Sequence, residues 1–381
     1  MAGQSGCNIN CATSVGASLN QRCACEVVDV LRLHESIRAA FSESMSDPAV
    51  HAHLFSRYAL FVDRAALDAM GRVAAALFEV AENPRYRERV LQWAPDIATH
   101  YPGSAGGVLG LDFHLTVDGP RLIEVNTNPG GLLLNAVLLD AVRSCAPAAW
   151  TTWTTATEAH SAAVAAWLDD ARQQSGRAPS RVAIVDSAPR EQFLYPEFEL
   201  YADAFREHGV DCVIRAPEDL RFGPEGLADA DGPIDMVYNR LTDFALEEAS
   251  HADLRQAYLA GDVALTPHPR AHALFADKRN LAVLGDAALL GGFGVDAGLT
   301  ALLAEVIPTT VEVVPGNRDA LWAARNGYFF KPAAGFGSRG SYRGDKLTRR
   351  TWESMASATY IAQAFAPPSM RIVHGGQSLK A

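Results

Sequence analysis

No apolar run in this 381-residue chain reaches the roughly 18 residues that a membrane-spanning helix needs. The N-terminus lacks a basic segment leading into an apolar one, so no secretory signal is expected. Positive charge is in deficit: 33 Lys and Arg stand against 44 Asp and Glu, a formal net charge of −11. That balance argues against a duplex nucleic-acid binder and leaves room for a local basic pocket. The phosphate-loop spacing G-x-x-x-x-G-K-[ST] is absent. No Ser-His-Asp or Cys-His nucleophile pattern stands out. Cysteine is sparse, and Cys7, Cys11, Cys23 and Cys25 all fall in the first 25 residues. Their C-x-x-x-C and C-x-C spacings do not match the paired C-x-x-C of common zinc sites, so a loose tail with free thiols is expected there. A soluble, cytoplasmic protein of two or three domains follows from length and composition.

What is present is a basic glycine loop. Tyr328-Phe329-Phe330-Lys331 has β character, and glycines follow at 335, 337, 340 and 344. Glycine lets a backbone approach a ligand closely, and successive N–H groups there make a concave anion site. Lys331, Arg339, Arg343 and Lys346 surround it with positive charge. The chemistry this suits is the grip on a nucleotide triphosphate; the plain reading is a solvated Gly/Ser loop after a strand.

A second informative stretch lies far upstream. Residues 108–117 and 121–126 read as two strands joined by a turn at Asp118-Gly119-Pro120. Glu124 and Asn126 are two apart and so share a face, with Ile123 and Val125 making an apolar opposite face. A carboxylate and an amide oxygen together are ligands of the kind Mg²⁺ takes beside phosphates. Asn128-Pro129-Gly130-Gly131 closes a tight loop, and 132–142 reads as an apolar helix packed under the hairpin sheet.

Between these stretches the pattern alternates. Helices are expected from Glu26, over 63–80 and again after Asn83-Pro84. A helix ending near Ser175-Gly176 suggests a hinge. Strands at 181–186, 211–215 and 235–240, with a helix at 198–208, predict a parallel sheet with right-handed crossovers. Tyr238, Asn239, Arg240 and Asp243 then lie at the carboxyl end of a strand, where such sheets place ligands. Arg240 suits a substrate carboxylate, unless it is a surface residue paired with Asp243. Residues 270–290 read as one helix carrying Lys278, and 360–365 as the last strand.

The ordered set resembles the ATP-grasp superfamily of carboxylate–amine ligases over roughly residues 106–365. The Glu-x-Asn strand comes early here, which is similar to the circularly permuted order of eukaryotic-type glutathione synthetases and the glutathionylspermidine synthetases. The resemblance implies a mixed α/β ATP-grasp fold with a smaller parallel-sheet substrate domain. On that reading residues 1–25 form a flexible tail. Residues 26–176 hold helices and the hairpin, 177–270 the substrate domain, and 271–381 the nucleotide-binding part. By position, Lys278 and Lys331 would contact ATP phosphates. Gly335, Phe336, Gly337, Ser338, Arg339 and Gly340 would form the lid, with Ser338 and Arg339 joining Lys331 and Arg240 in catalysis. Gln363, Ala364 and Phe365 would meet adenine, and Glu124 and Asn126 would hold Mg²⁺. Asp112, Asn128, Asn239 and Arg240 would face substrate.

The implied reaction joins a small carboxylate to an amine through an acyl phosphate. A small-molecule kinase or a non-catalytic nucleotide binder keeps the same grip. No nucleic-acid or membrane partner is expected, and a homodimer is left open. Gly110 stands where glutathione synthetases carry Arg, and Gly335 where they carry a further metal-binding Glu, which points away from glutathione as product. The family pattern continues into a strand bearing Asp and Arg; the sequence reaches Ala381 before one is evident.

Overall fold

The computed structural model describes residues 20, 28–41, 52–58, 60–116, 118–143, 155–335, 337, 339–373 and 378–380. Local signals decide the first helices. Asp29 accepts the amide of Leu31 and caps α1 (Val30–Ala40). Asn83 ends α2 (Arg64–Glu82) and, with its side chain accepting from Arg85 and Tyr86, starts α3 (Pro84–Leu91). Pro84 takes a first-turn position, where a missing N–H costs nothing.

β1 (Gly110–Thr116) and β2 (Gly119–Asn126) form an antiparallel hairpin. α4 (Leu132–Arg143) does not pack under it as expected. Leu133, Leu134, Val137 and Ala141 are instead buried with α1, with α5 (Ala156–Ser175) and with one face of the parallel sheet. Thr155 and Glu158 begin α5 with a reciprocal capping box, and Gly176 ends it at φ 73°.

The parallel sheet is present. It contains β3 (Arg181–Val185) and β4 (Asp211–Arg215), joined by α6 (Tyr195–Glu207). A small meander follows, β5 (Arg221–Gly223), β6 (Gly226–Asp229) and β7 (Gly232–Pro233), which the sequence reading missed. Asp229, its side chain fully buried, anchors it through ion pairs to Arg181 at 2.7 Å and Arg215 at 2.8 Å. β8 (Met236–Asn239), α7 (Ala252–Ala260) and β9 (Ala264–Thr266) complete the order β4-β3-β8-β9. Val182 and Ile184 enter the core shared with α4, α5 and α6, while Ala183 and Val185 enter the one shared with α7. Both faces being covered explains the nearly continuous apolar run of β3. Beside the helix end at Ser175-Gly176, the Gln174 amide both donates to and accepts from the Leu265 backbone at 3.0 Å.

The long helix expected over 270–290 is broken. A short turn at Pro269–Ala271 and a π-helical turn at His272–Ala276 stop at Asp277, which is extended at ψ 123°. Its carboxylate accepts the Arg279 amide and guanidinium, holding a tight turn before α8 (Asn280–Leu284), α9 (Ala287–Gly292) and α10 (Ala297–Val306). Lys278 therefore sits in a turn and not on a helix.

The last main layer is antiparallel. β10 (Thr310–Glu312), α11 (Arg318–Ala323), β11 (Tyr328–Pro332), β12 (Tyr342–Arg343), α12 (Arg349–Ser354) and β13 (Tyr360–Ala364) give the order β10-β13-β11-β12. β13 is not the last strand: β14 (Met370–Ile372) and β15 (Ser378–Lys380) add a hairpin. No helix among the described residues is long and apolar enough to cross a membrane. The four N-terminal cysteines and Cys145 lie outside the described residues; Cys212 is a buried free thiol.

Candidate functional site

The polar face of the hairpin depends on one extra residue. Asp112 pairs with Glu124, but the next residue, Phe113, pairs with Leu122, so Ile123 forms a bulge. The apolar face is therefore Leu122 and Val125, at 0% and 3% exposure, with Ile123 left out of the ladder. This corrects the Ile123/Val125 face expected from simple alternation. Asn126 lies near enough to the Asp112 carboxyl to pull its pKa down, and Glu124 lies directly across from Asp112. Desolvation and the neighbouring Glu124 carboxylate hold the Asp112 carboxyl above its usual range, against the pull of Lys331.

Strand alternation brings Lys331 to that face. Phe330 turns to the opposite side of β11 and packs edge-on against Trp352 at 5.2 Å. The Lys331 Nζ donates to the bulged Ile123 carbonyl at 2.7 Å and to Gln363 Oε1 at 3.0 Å. Burial pushes the ammonium down to about 8; Glu124 and Asp112 oppose this and Lys278 reinforces it. The Lys278 Nζ lies 3.3 Å from Glu124 Oε1 and donates to the Gly335 carbonyl at 3.0 Å, while its backbone N–H donates to Ala333. Glu124 and both lysines thus form one cluster. Three chain regions far apart in sequence place two cations and two carboxylates within mutual reach.

Gly337 and Gly340 adopt φ 60° and 70°, conformations that favour glycine, and the Tyr360 hydroxyl donates to the Gly340 carbonyl at 3.1 Å. Arg339 is exposed, and Phe336 and Ser338 lie outside the described residues. Arg343 pairs with Asp345 and covers the Phe365 ring at 4.6 Å. Gln363 is buried beside Lys331. The Ala364 and Phe365 amides already donate to Thr309 and Gly327, so neither is free as an adenine donor. Ala364 and Phe365 border a cleft of about 790 Å³ that also touches Leu115, Thr116 and Thr309.

The substrate candidates form a second cluster joined to the first by the Asn128 loop. Arg240 is buried, not a surface residue, and does not pair with Asp243, which instead takes His251 at 2.8 Å. The Arg240 Nη1 donates to Asn128 Oδ1, to the Pro129 carbonyl and to the Tyr238 hydroxyl. Asn239 holds the Pro267 carbonyl and the Leu241 amide. A Cβ at Gly130 would meet the end of the Leu194 side chain at 2.4 Å, so Leu194 would have to move. Glu197, fully buried on α6, accepts the amides of Gly131 at 2.7 Å and Leu133 at 3.0 Å. Sequence reasoning missed Glu197 because a glutamate in a helix pattern is ordinarily a solvated residue.

Asp112, Glu124 and Asn126 offer two carboxylates and an amide oxygen, a hard-oxygen set that suits Mg²⁺. Among the described residues no group of three or more His, Cys, Asp or Glu could hold a metal on its own. Such a site therefore fits an ion that keeps waters and phosphate oxygens as its remaining ligands.

No protein-family model matches the chain, and no curated protein matches it. Among solved structures it is similar to a Methylobacillus flagellatus KT protein carrying the provisional name gamma-glutamylcysteine synthetase. That similarity has 12% identity and a TM-score of 0.40, and covers 78% of this chain and 75% of that one. It is also similar to the ATP-grasp ligase PsnB, solved with a minimal precursor, at 14% identity and a TM-score of 0.32 over 53% of this chain and 76% of that one.

Proposed function

We propose that the chain is an ATP-dependent carboxylate–amine ligase of the ATP-grasp type in permuted order. The observation that carries this reading is the meeting of Glu124, Lys278 and Lys331 in one cluster at the base of the glycine loop. Two buried lysines and a glycine-rich stretch suit a triphosphate, and the adjacent carboxylates suit its counter-ion.

Asp112, Glu124 and Asn126 would hold Mg²⁺, which when bound offsets charge on the phosphoryl oxygens. Lys278 and Lys331 exchange their internal acceptors for phosphate oxygens, so their charge falls where negative charge develops during transfer. By the family resemblance the glycine-rich stretch 335–340 would serve as the lid that keeps water from hydrolysing an acyl phosphate. The acid substrate's carboxylate oxygen attacks the γ-phosphorus and ADP leaves. An amine then attacks the acyl carbon, phosphate leaves, and the amine proton passes to solvent. The side chains position and neutralise; none forms a covalent bond.

The test is product analysis with ATP, Mg²⁺ and a panel of amino acids and amines. ADP, phosphate and an amide are the expected products. AMP and pyrophosphate would overturn the scheme. A stable phosphorylated product formed without amine would make the protein a kinase, and binding without turnover a nucleotide-binding protein.

A further inference from the structure

Lys278 reaches Glu124 from a short turn. The π-helical turn at His272–Ala276 hands over to the extended Asp277, and α8 starts only at Asn280. A lysine has a long side chain with much rotamer freedom, so a loose turn would aim it poorly. What fixes this turn comes from the early helical region. The Tyr86 hydroxyl donates to the Leu274 carbonyl at 2.8 Å. Arg270 donates to the Ala98 carbonyl at 3.0 Å, and Arg279 to the Trp93 carbonyl at 3.2 Å. The stretch that carries Lys278 is thereby seated on α3 and the residues just past it.

Arg279 also acts on the turn directly. Its Nε and Nη2 donate to the two oxygens of Asp277 at 3.0 and 2.6 Å, and its amide donates to the first of them at 2.9 Å. A planar guanidinium fits both carboxylate oxygens at once, which an ammonium does not. The same guanidinium lies 5.1 Å from the centre of the Trp93 ring. The side chains of Arg279 and Asp277 are only 16% and 10% exposed, so removing the arginine would strand a carboxylate. That carboxylate is one residue from Lys278. Unpaired, it would pull on an ammonium that Glu124 now holds at 3.3 Å. The arginine therefore fixes the backbone on both sides of the lysine and keeps its neighbour's charge occupied.

We infer that Arg279 is a positioning residue for Lys278: by pinning Asp277 and resting on Trp93, it aims the lysine at Glu124 and the nucleotide site without itself touching the nucleotide. This rests on the ligase reading, in which Lys278 meets a phosphate, and adds the residue that sets this contact.

The experiment titrates ATP with saturating Mg²⁺ into four proteins by calorimetry: wild type, Lys278→Met, Arg279→Ala and the double variant, each first shown by thermal melting to be folded at the assay temperature. Arg279→Ala is expected to raise the Kd tenfold or more in the wild-type background. In the Lys278→Met background the same change is expected to alter the Kd less than twofold, because a residue acting through the lysine has nothing left to act on. An equal loss in both backgrounds would mark a general loosening of the fold and overturn the inference. So would a wild-type Kd in Arg279→Ala. Should that variant not fold, Arg279→Lys, which keeps a cation and loses the fork, is held to the same pattern. Wild-type affinity in Lys278→Met would instead remove the phosphate contact from the ligase reading, and the inference would fall with it.

Discussion

Lys278 and Glu124 form an ion pair of 3.3 Å with only 6% and 23% of their side chains exposed, although one belongs to a turn after the parallel sheet and the other to the early hairpin. The pair leaves one lysine proton on Gly335, at the base of the glycine loop, so the unliganded protein holds its own loop by the cation that the nucleotide would claim.

Lys331→Met should weaken binding of Mg²⁺ and ATP by about tenfold to a hundredfold. Charge-assisted hydrogen bonds are each worth roughly 1.5–3 kcal/mol, and about 1.4 kcal/mol is a factor of ten. Isothermal titration calorimetry measures it; an unchanged Kd would remove Lys331 from the site.

Glu124→Gln should abolish saturation by Mg²⁺ in turnover assays. It also leaves Lys278 without its carboxylate in a nearly buried place, so stability should fall by roughly 1–3 kcal/mol, less than for a fully buried pair. Urea unfolding checks the second part, and a Mg²⁺ titration the first.

The depressed Lys331 ammonium predicts a pH effect. Its folded value of about 8 lies below the 10.5 of an unconstrained lysine, so between these the unfolded chain binds more protons. This group's cost to the fold is full below pH 8 and fades as pH rises toward 10.5. The stability of wild type relative to Lys331→Met should therefore rise across that window. A parallel pair of curves from paired thermal melts would contradict it.

Gly344→Ala should destabilise the antiparallel layer strongly. A Cβ there would fall onto the Arg325 carbonyl, with the Tyr328 carbonyl 2.9 Å away, and both are backbone atoms that cannot swing aside. A loss of about 3 kcal/mol or more is expected, read from denaturant unfolding.

Much of the architecture was legible where local signals agree. Asn83-Pro84 marks a helix junction, and the apolar run of 181–185 marks a strand buried on both faces. Lys278 was identified by resemblance but placed on a helix, because nothing in Arg270–Leu290 warns of a π-helical turn closed by the Asp277 carboxylate. The meander at 221–233 escaped notice because Asp229, a residue that usually marks solvent, is its buried anchor. The Arg240 environment depends on Asn128 and Glu197, remote in sequence, so no local pattern could reveal it.

The bulge at Ile123 makes the hairpin a matter of parity. With Ile123 in place, Leu122 and Val125 both reach the core although three positions separate them, and Glu124 keeps its outward turn. Deleting that single residue would make Asp112–Glu124 and Phe113–Leu122 neighbouring rungs of a regular ladder, so Leu122 and Val125 would stay inside and Glu124 outside. What would be lost is the main-chain oxygen that now steadies Lys331. One uncounted residue thus supplies the seat of the lysine and leaves the faces of the strand as they are.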